Sequence, residues 1–199
     1  MAIPAGGNIV SIAEYISVFL AIIVGLAVAD LATSFHRLMR ARARVEWDWM
    51  SLALALVMLL ETVLFWWGSF HWYQTARELS IGTFLPDLGL FLLLFLAVAA
   101  VLPDEVPADG LSLRRHYFST APYFWTLMVL MAVLVIFGLG RRHAGDPSLV
   151  AIIEGQWPNV ALAIAMVPLI FTRRPWLHMG FVALLVPYTL WTTFPYLLR

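Results

Sequence analysis

The chain has 199 residues, 62% of them hydrophobic and 12% charged, with a formal net charge of zero and a mean hydropathy of +0.88. A water-soluble domain of this size is about half apolar, so composition points to a polytopic membrane protein, and no basic face argues for nucleic acid. Cysteine and lysine are both absent, which excludes disulfides, thiolate metal sites, thiol catalysis, palmitoylation and any cofactor held as a lysine Schiff base.

Six apolar segments of spanning length can be marked, at about 9–33, 49–72, 81–102, 117–139, 148–172 and 176–198. Each is long enough to cross a bilayer with some tilt. The expected fold is a single all-α transmembrane domain over residues 1–199, a polytopic bundle of six helices. The first residues carry no positive charge ahead of the apolar run, so the first span is expected to serve as its own insertion signal. Arg37, Arg40, Arg42, Arg44, Arg114, Arg115, Arg173 and Arg174 fall in the first, third and fifth loops, against Arg77, Arg141, Arg142 and Arg199 on the other side. By the positive-inside rule the first loop is cytoplasmic and the chain is N-out and C-out. The expected location is a bacterial inner membrane.

In the first span Ala21, Gly25 and Ala29 recur at four-residue spacing, a face that lets another helix approach closely, within the protomer or between protomers. Asp30 lies near the cytoplasmic end, with Ser34 and Arg37 on the same face, so an Asp30–Arg37 pair is expected there. Glu14 sits near the outer end. The second span, Trp49 to Trp72, carries one carboxylate, Glu61, twelve residues from one tryptophan and eleven from the other. At the helical rise those separations are about 18 Å and about 16 Å, which puts Glu61 near the midplane. A charged carboxylate there costs roughly 3 kcal/mol to insert, so it needs a partner, a proton or water. Either it is a protonated acid bonded across helices or it is part of a proton or cation relay, and an indole N–H of Trp66 or Trp67 is a possible donor to it.

The third span opens with Pro86-Asp87 and runs on as leucine. The fourth has Pro122 near its start and His116 just before it. The fifth contains Glu154, Gln156, Pro158 and Asn159, and Pro158 and Pro168 are expected to kink it. The sixth has His178 near the cytoplasmic end, Pro187, and a polar outer half of Tyr188, Thr189, Thr192 and Thr193. Ordered by depth, Glu14, Asp87 and Glu154 lie outside, Glu61 in the middle, and Asp30, His36 and His178 toward the cytoplasm. If they share a face they form a ladder favouring protons or cations.

No metal-ligand spacing or nucleotide motif is present, so neither a metal nor a cofactor is expected. The leading functional expectation is a small oligomeric channel or carrier for protons or cations. The alternatives are a non-catalytic accessory or scaffold subunit of a membrane complex, and a membrane enzyme acting on lipid or quinone. The expected partners are the lipid bilayer and further copies of the chain, with another membrane protein as the alternative.

The segment EYISVFLAIIVGLAVADLATSFHRLMRAR, the triplet Phe65-Trp66-Trp67, Leu102-Pro103-Asp104, RRHYF at 114–118 and FTRRPWLH at 171–178 together resemble a widespread group of uncharacterised bacterial multi-spanning membrane proteins. The resemblance covers most of the chain and implies topology, with no assigned activity. It also leads one to expect glutamine where this chain has Glu61, which implies that a carboxylate is not required at that position.

Overall fold

Long apolar runs leave the backbone no water to bond, so their N–H and C=O groups close on themselves as helix. The computed structural model describes residues 12–75, 81–143 and 148–197 and is helical almost throughout. The helices are α1 (Ile12–Arg40), α2 (Trp49–Thr75), α3 (Ile81–Ala99), α4 (Leu113–His143), α5 (Leu149–Gly155), α6 (Trp157–Phe171) and α7 (Pro175–Leu197). A short 3-10 turn at Arg42–Arg44 and two two-residue strands, β1 (Val45–Glu46) and β2 (Leu111–Ser112), lie in the connections.

Among the described residues three helices are long and apolar enough to cross a membrane: Ala13–Arg40, Trp49–Tyr73 and Leu113–Gly138. The pair α5 and α6 makes a fourth if it is one broken span, and the apolar part of α3, Phe84–Ala99, is shorter. These are the helices of an integral membrane protein. The expected continuous span at 148–172 is divided: α5 and α6 meet at 86°. The break falls at Gln156 (φ −116°, ψ 19°), ahead of the proline expected to cause it. Pro158 instead occupies the first turn of α6, where its missing N–H costs nothing. Asn159 Nδ2 donates to Gln156 Oε1 at 2.8 Å, a local polar link beside the corner.

α1 packs on α2 and α3, α3 on α4, α4 on α6, and α2 on α7. The interior is not uniform along the helices. One large core joins Ala27, Leu31 and Leu38 of α1, Met50 to Met58 of α2, Leu94 to Val98 of α3, Tyr117 to Met128 of α4, Met166 and Leu169 of α6, and Val182 and Leu185 of α7. Toward the other ends of the helices it gives way to two small clusters. Leu20, Tyr73 and Phe91 tie α1, α2 and α3. Ile136, Ile152 and Ala163 tie α4, α5 and α6.

The large core lies at the arginine-rich end, and the loops there are locked together. β1 and β2 pair in parallel, Val45 opposite Leu111 and Glu46 opposite Ser112, so the loops after α1 and α3 lie side by side. Gly110 makes this possible. Its φ is +101°, and a Cβ there would stand 3.1 Å from the Arg44 carbonyl oxygen, so a side chain is excluded by strain and by space. Asp48 caps α2, accepting from Ser51 N and Ser51 Oγ, each at 3.1 Å. α1 runs on past residue 33 to Arg40, which carries its arginines out to the loops.

Candidate functional site

Two polar constellations stand out, one in the middle of the bundle and one at the arginine-rich end. The first is Glu61. It projects from α2 between Met58, in the large core, and Phe65, which packs against both the large core and the cluster around Tyr73. Thr189 of α7, fully buried one turn beyond Leu185, donates Oγ1 to Glu61 Oε1 at 3.0 Å. Glu61 itself is only half-buried, and its other oxygen has no hydrogen bond among the described residues. Two turns outward on α2, Gly68 is exposed, with nothing within 4 Å of where a Cβ would stand. The carboxyl therefore sits where the single core divides, with one oxygen held and the other open.

The expectation that an indole N–H bonds this carboxyl is corrected. Trp66 and Trp67 instead stack with Phe70 at centroid distances of 5.9 and 6.5 Å, and Trp67 is 42% exposed. Trp66 packs against the Leu20–Tyr73–Phe91 cluster, and a threonine hydroxyl supplies the donor to Glu61.

The second constellation is built on His178, which is fully buried at the start of α7. Its Nε2 lies 2.9 Å from the carbonyl oxygen of Thr172, the residue that ends α6, and its Nδ1 lies 2.8 Å from the Tyr117 hydroxyl on α4. Trp125 Nε1 donates to the same hydroxyl at 3.1 Å. The roles follow from the partners. A carbonyl only accepts, so Nε2 carries the proton; Nδ1 of the neutral ring then accepts from the Tyr117 O–H, whose oxygen accepts from the indole N–H. The sequence Trp125 to Tyr117 to His178 to Thr172 is thus fully satisfied with a neutral imidazole, and it ties α4, α6 and α7. Phe118 and Phe181 close around it edge-on, Phe118 at 5.2 Å from His178 and Phe181 at 5.2 Å from Trp125.

The remaining predicted residues are distributed elsewhere. Asp87, in α3 just after Pro86, accepts from the Tyr73 hydroxyl and ties α2 to α3 at the outer end. Glu14 and Glu154 are exposed. Asp30 is half-buried and does not pair with Arg37, a correction to the expected ion pair. Arg37 Nη1 instead donates to the main-chain carbonyl of Asp104 at 2.7 Å, because the α3–α4 loop lies against this end of α1, and Ser34 Oγ reaches the Asp104 carboxylate at 3.4 Å. Glu61, Asp30 and His178 are not joined to one another by any hydrogen bond or ion pair. Ala21 is half-buried, Gly25 and Ala29 are exposed, and a Cβ at Gly25 would meet nothing within 4 Å. Gly25 and Ala29 therefore face away from the described bundle, and a Cβ at Gly25 closes no contact among the described residues.

Sequence reasoning did not pick out Tyr117, Trp125 or Thr172 as partners of His178. The signal was available in part: Tyr117 and Trp125 are eight apart, two turns along one broad stripe of α4, and Tyr117 lies at the same arginine-rich end as His178. The segments 102–104, 114–118 and 171–178, which carry much of the resemblance, converge at this end of the molecule through Asp104, Tyr117, Thr172 and His178. Among the described residues no three His, Asp or Glu side chains gather as a metal-ion set. Neither a protein-family model, nor a curated protein, nor a solved structure matches the chain.

Proposed function

We propose that this chain is a proton or cation carrier or channel of a bacterial inner membrane, with Glu61 as its central ion-binding group. The observation that carries the reading is the setting of Glu61: near the middle of α2, half-buried, anchored by Thr189 through one oxygen, at the level where one core becomes two. A cross-link that only fixed packing would gain most from complete burial. Here the second oxygen is left for a proton or cation arriving from the outer half. Asp30 and Glu14 stand toward the two ends of the same route. One protomer has little interior beyond its own side chains, so the working unit is a homo-oligomer.

The proposed topology is six spans, N-out and C-out. Its support is the parallel pairing of the first and third connections together with the His178 link to α4, which gather the arginine-rich loops at one end. Membership of the bacterial multi-spanning group is proposed on the motif segments that meet there.

Ion and proton flux in liposomes, for the native chain and Glu61→Gln, tests the reading. Flux that falls in the variant supports it, and unchanged flux removes Glu61 from the route. A native chain silent to H⁺, Na⁺ and K⁺ gradients transfers support to a second reading, an accessory or scaffold subunit. The outward Gly25 and Ala29 face favours that reading, since small exposed residues admit another helix. A stoichiometric partner retained through purification from native membranes would establish it.

A further inference from the structure

We infer that the arginine-rich end carries a site for a phospholipid headgroup: a phosphodiester whose far end is a hydrogen-bond donor. The site is an open cleft of about 570 Å³ between the end of α1 and the α3–α4 loop, lined by Arg37, Arg40, Arg44, Asp104 and Glu105. Arg37, Arg40 and Arg44 lie three and four residues apart, so they share one side of the helix and its 3-10 extension. Two of the three are already held. Arg37 donates to the Asp104 carbonyl at 2.7 Å and Arg44 to the Pro107 carbonyl at 3.4 Å. Each bond uses one Nη1 and leaves the rest of a five-donor fork. Arg40 has no hydrogen bond or ion pair among the described residues. The wall opposite is fixed by the β1–β2 pairing and by Gly110 against Arg44, so much of the ordering cost of binding is met before a ligand arrives.

The depth of the cleft selects its ligand. It follows directly on the apolar part of α1, and Trp47 and Trp49, a few residues further along the chain, are 41% and 50% exposed, as tryptophans at a headgroup layer are. Guanidinium forks match phosphate oxygens in pairs. Asp104 and Glu105 in the same lining would repel a bare anion and accept from a hydroxyl or ammonium group one headgroup length away. The combination fits phosphoglycerol or phosphoethanolamine and disfavours phosphocholine, whose methylated end cannot donate.

The test is native mass spectrometry of the full chain released from bicelles containing equal phosphatidylglycerol, phosphatidylethanolamine and phosphatidylcholine. The expected result is retention of the first two over the third, falling about tenfold in Arg40→Gln, the loss of one charge-assisted contact. Arg40→Gln breaks no bond of the fold, and Arg114→Gln with Arg115→Gln, exposed outside the cleft, is expected to leave retention unchanged. Equal retention of phosphatidylcholine, or no change in Arg40→Gln, overturns the inference. Displacement of the retained lipid by millimolar inorganic phosphate overturns it in favour of a soluble phosphate site.

Discussion

The two ends of the bundle solve the same problem differently. At the arginine-rich end one core runs through α1, α2, α3, α4, α6 and α7, and polar groups knit the helix ends in sequence: Asp48 to Ser51, Arg37 and Ser34 to Asp104, and Trp125 through Tyr117 and His178 to Thr172. Toward the other end the core separates into two small clusters, and the polar links there include Glu61 with Thr189 and Tyr73 with Asp87. The difference teaches where rigidity resides. Cooperative packing in one large core resists local opening, whereas small separate clusters open at lower cost.

Breaking the base is expected to have the largest effect. His178→Ala leaves a cavity, a Tyr117 hydroxyl without its acceptor and a Thr172 carbonyl without its donor. The expected cost is about 3 kcal/mol. For a chain of this length that is a fall of roughly 6–12 °C in the melting temperature, followed by thermal unfolding in detergent. Gly110→Ala comes next. Its left-handed backbone and the nearby Arg44 carbonyl make the expected loss about 2 kcal/mol, read from the same melt, and an unchanged melting temperature would show that the β1–β2 lock contributes little.

Asp48→Ala removes the cap of α2 at an expected cost of about 1 kcal/mol. Its sign is faster amide hydrogen exchange confined to the first turn of that helix. Thr189→Val acts in the more open half and is expected to cost only about 0.6 kcal/mol, as single interhelical bonds in membranes do. It sharpens the contrast because flux should change while the melting temperature barely moves; the reverse pattern would make the Glu61–Thr189 bond purely structural. Gly25→Ala is expected to alter protomer stability by less than about 0.5 kcal/mol, since a methyl group there meets nothing. A smaller particle in mass photometry would then mark the α1 face as a contact between copies.

Much of this architecture is legible in the residues themselves. Long apolar runs must be helices in lipid, so the positions of α1, α2 and α4 follow from hydropathy. Arginine placement marks which connections gather at one end, and the parallel strands bring two of them into contact. The position of Glu61 near the middle of α2 follows from counting along one helix. These are properties of single segments, set by local geometry and by the solvent around them.

Partners are a different matter. Thr189 lies far from Glu61 in the chain, Tyr117 far from His178, and Asp104 far from Arg37. Nothing in one helix says which face of another it will meet. Asp30 and Arg37 are well spaced to pair, yet the carbonyl of Asp104 takes the guanidinium because the α3–α4 loop lies on that side. Gln156 rather than Pro158 marks the corner between α5 and α6, because a proline is tolerated in a first helical turn and the helix restarts around it. The helical character and approximate position of the long apolar segments were determined by the sequence alone, through the cost of leaving backbone groups unsolvated. The pairing of Glu61, the proton order through His178 and the level at which the core divides were decided only by tertiary packing, which brings together side chains that no local rule relates.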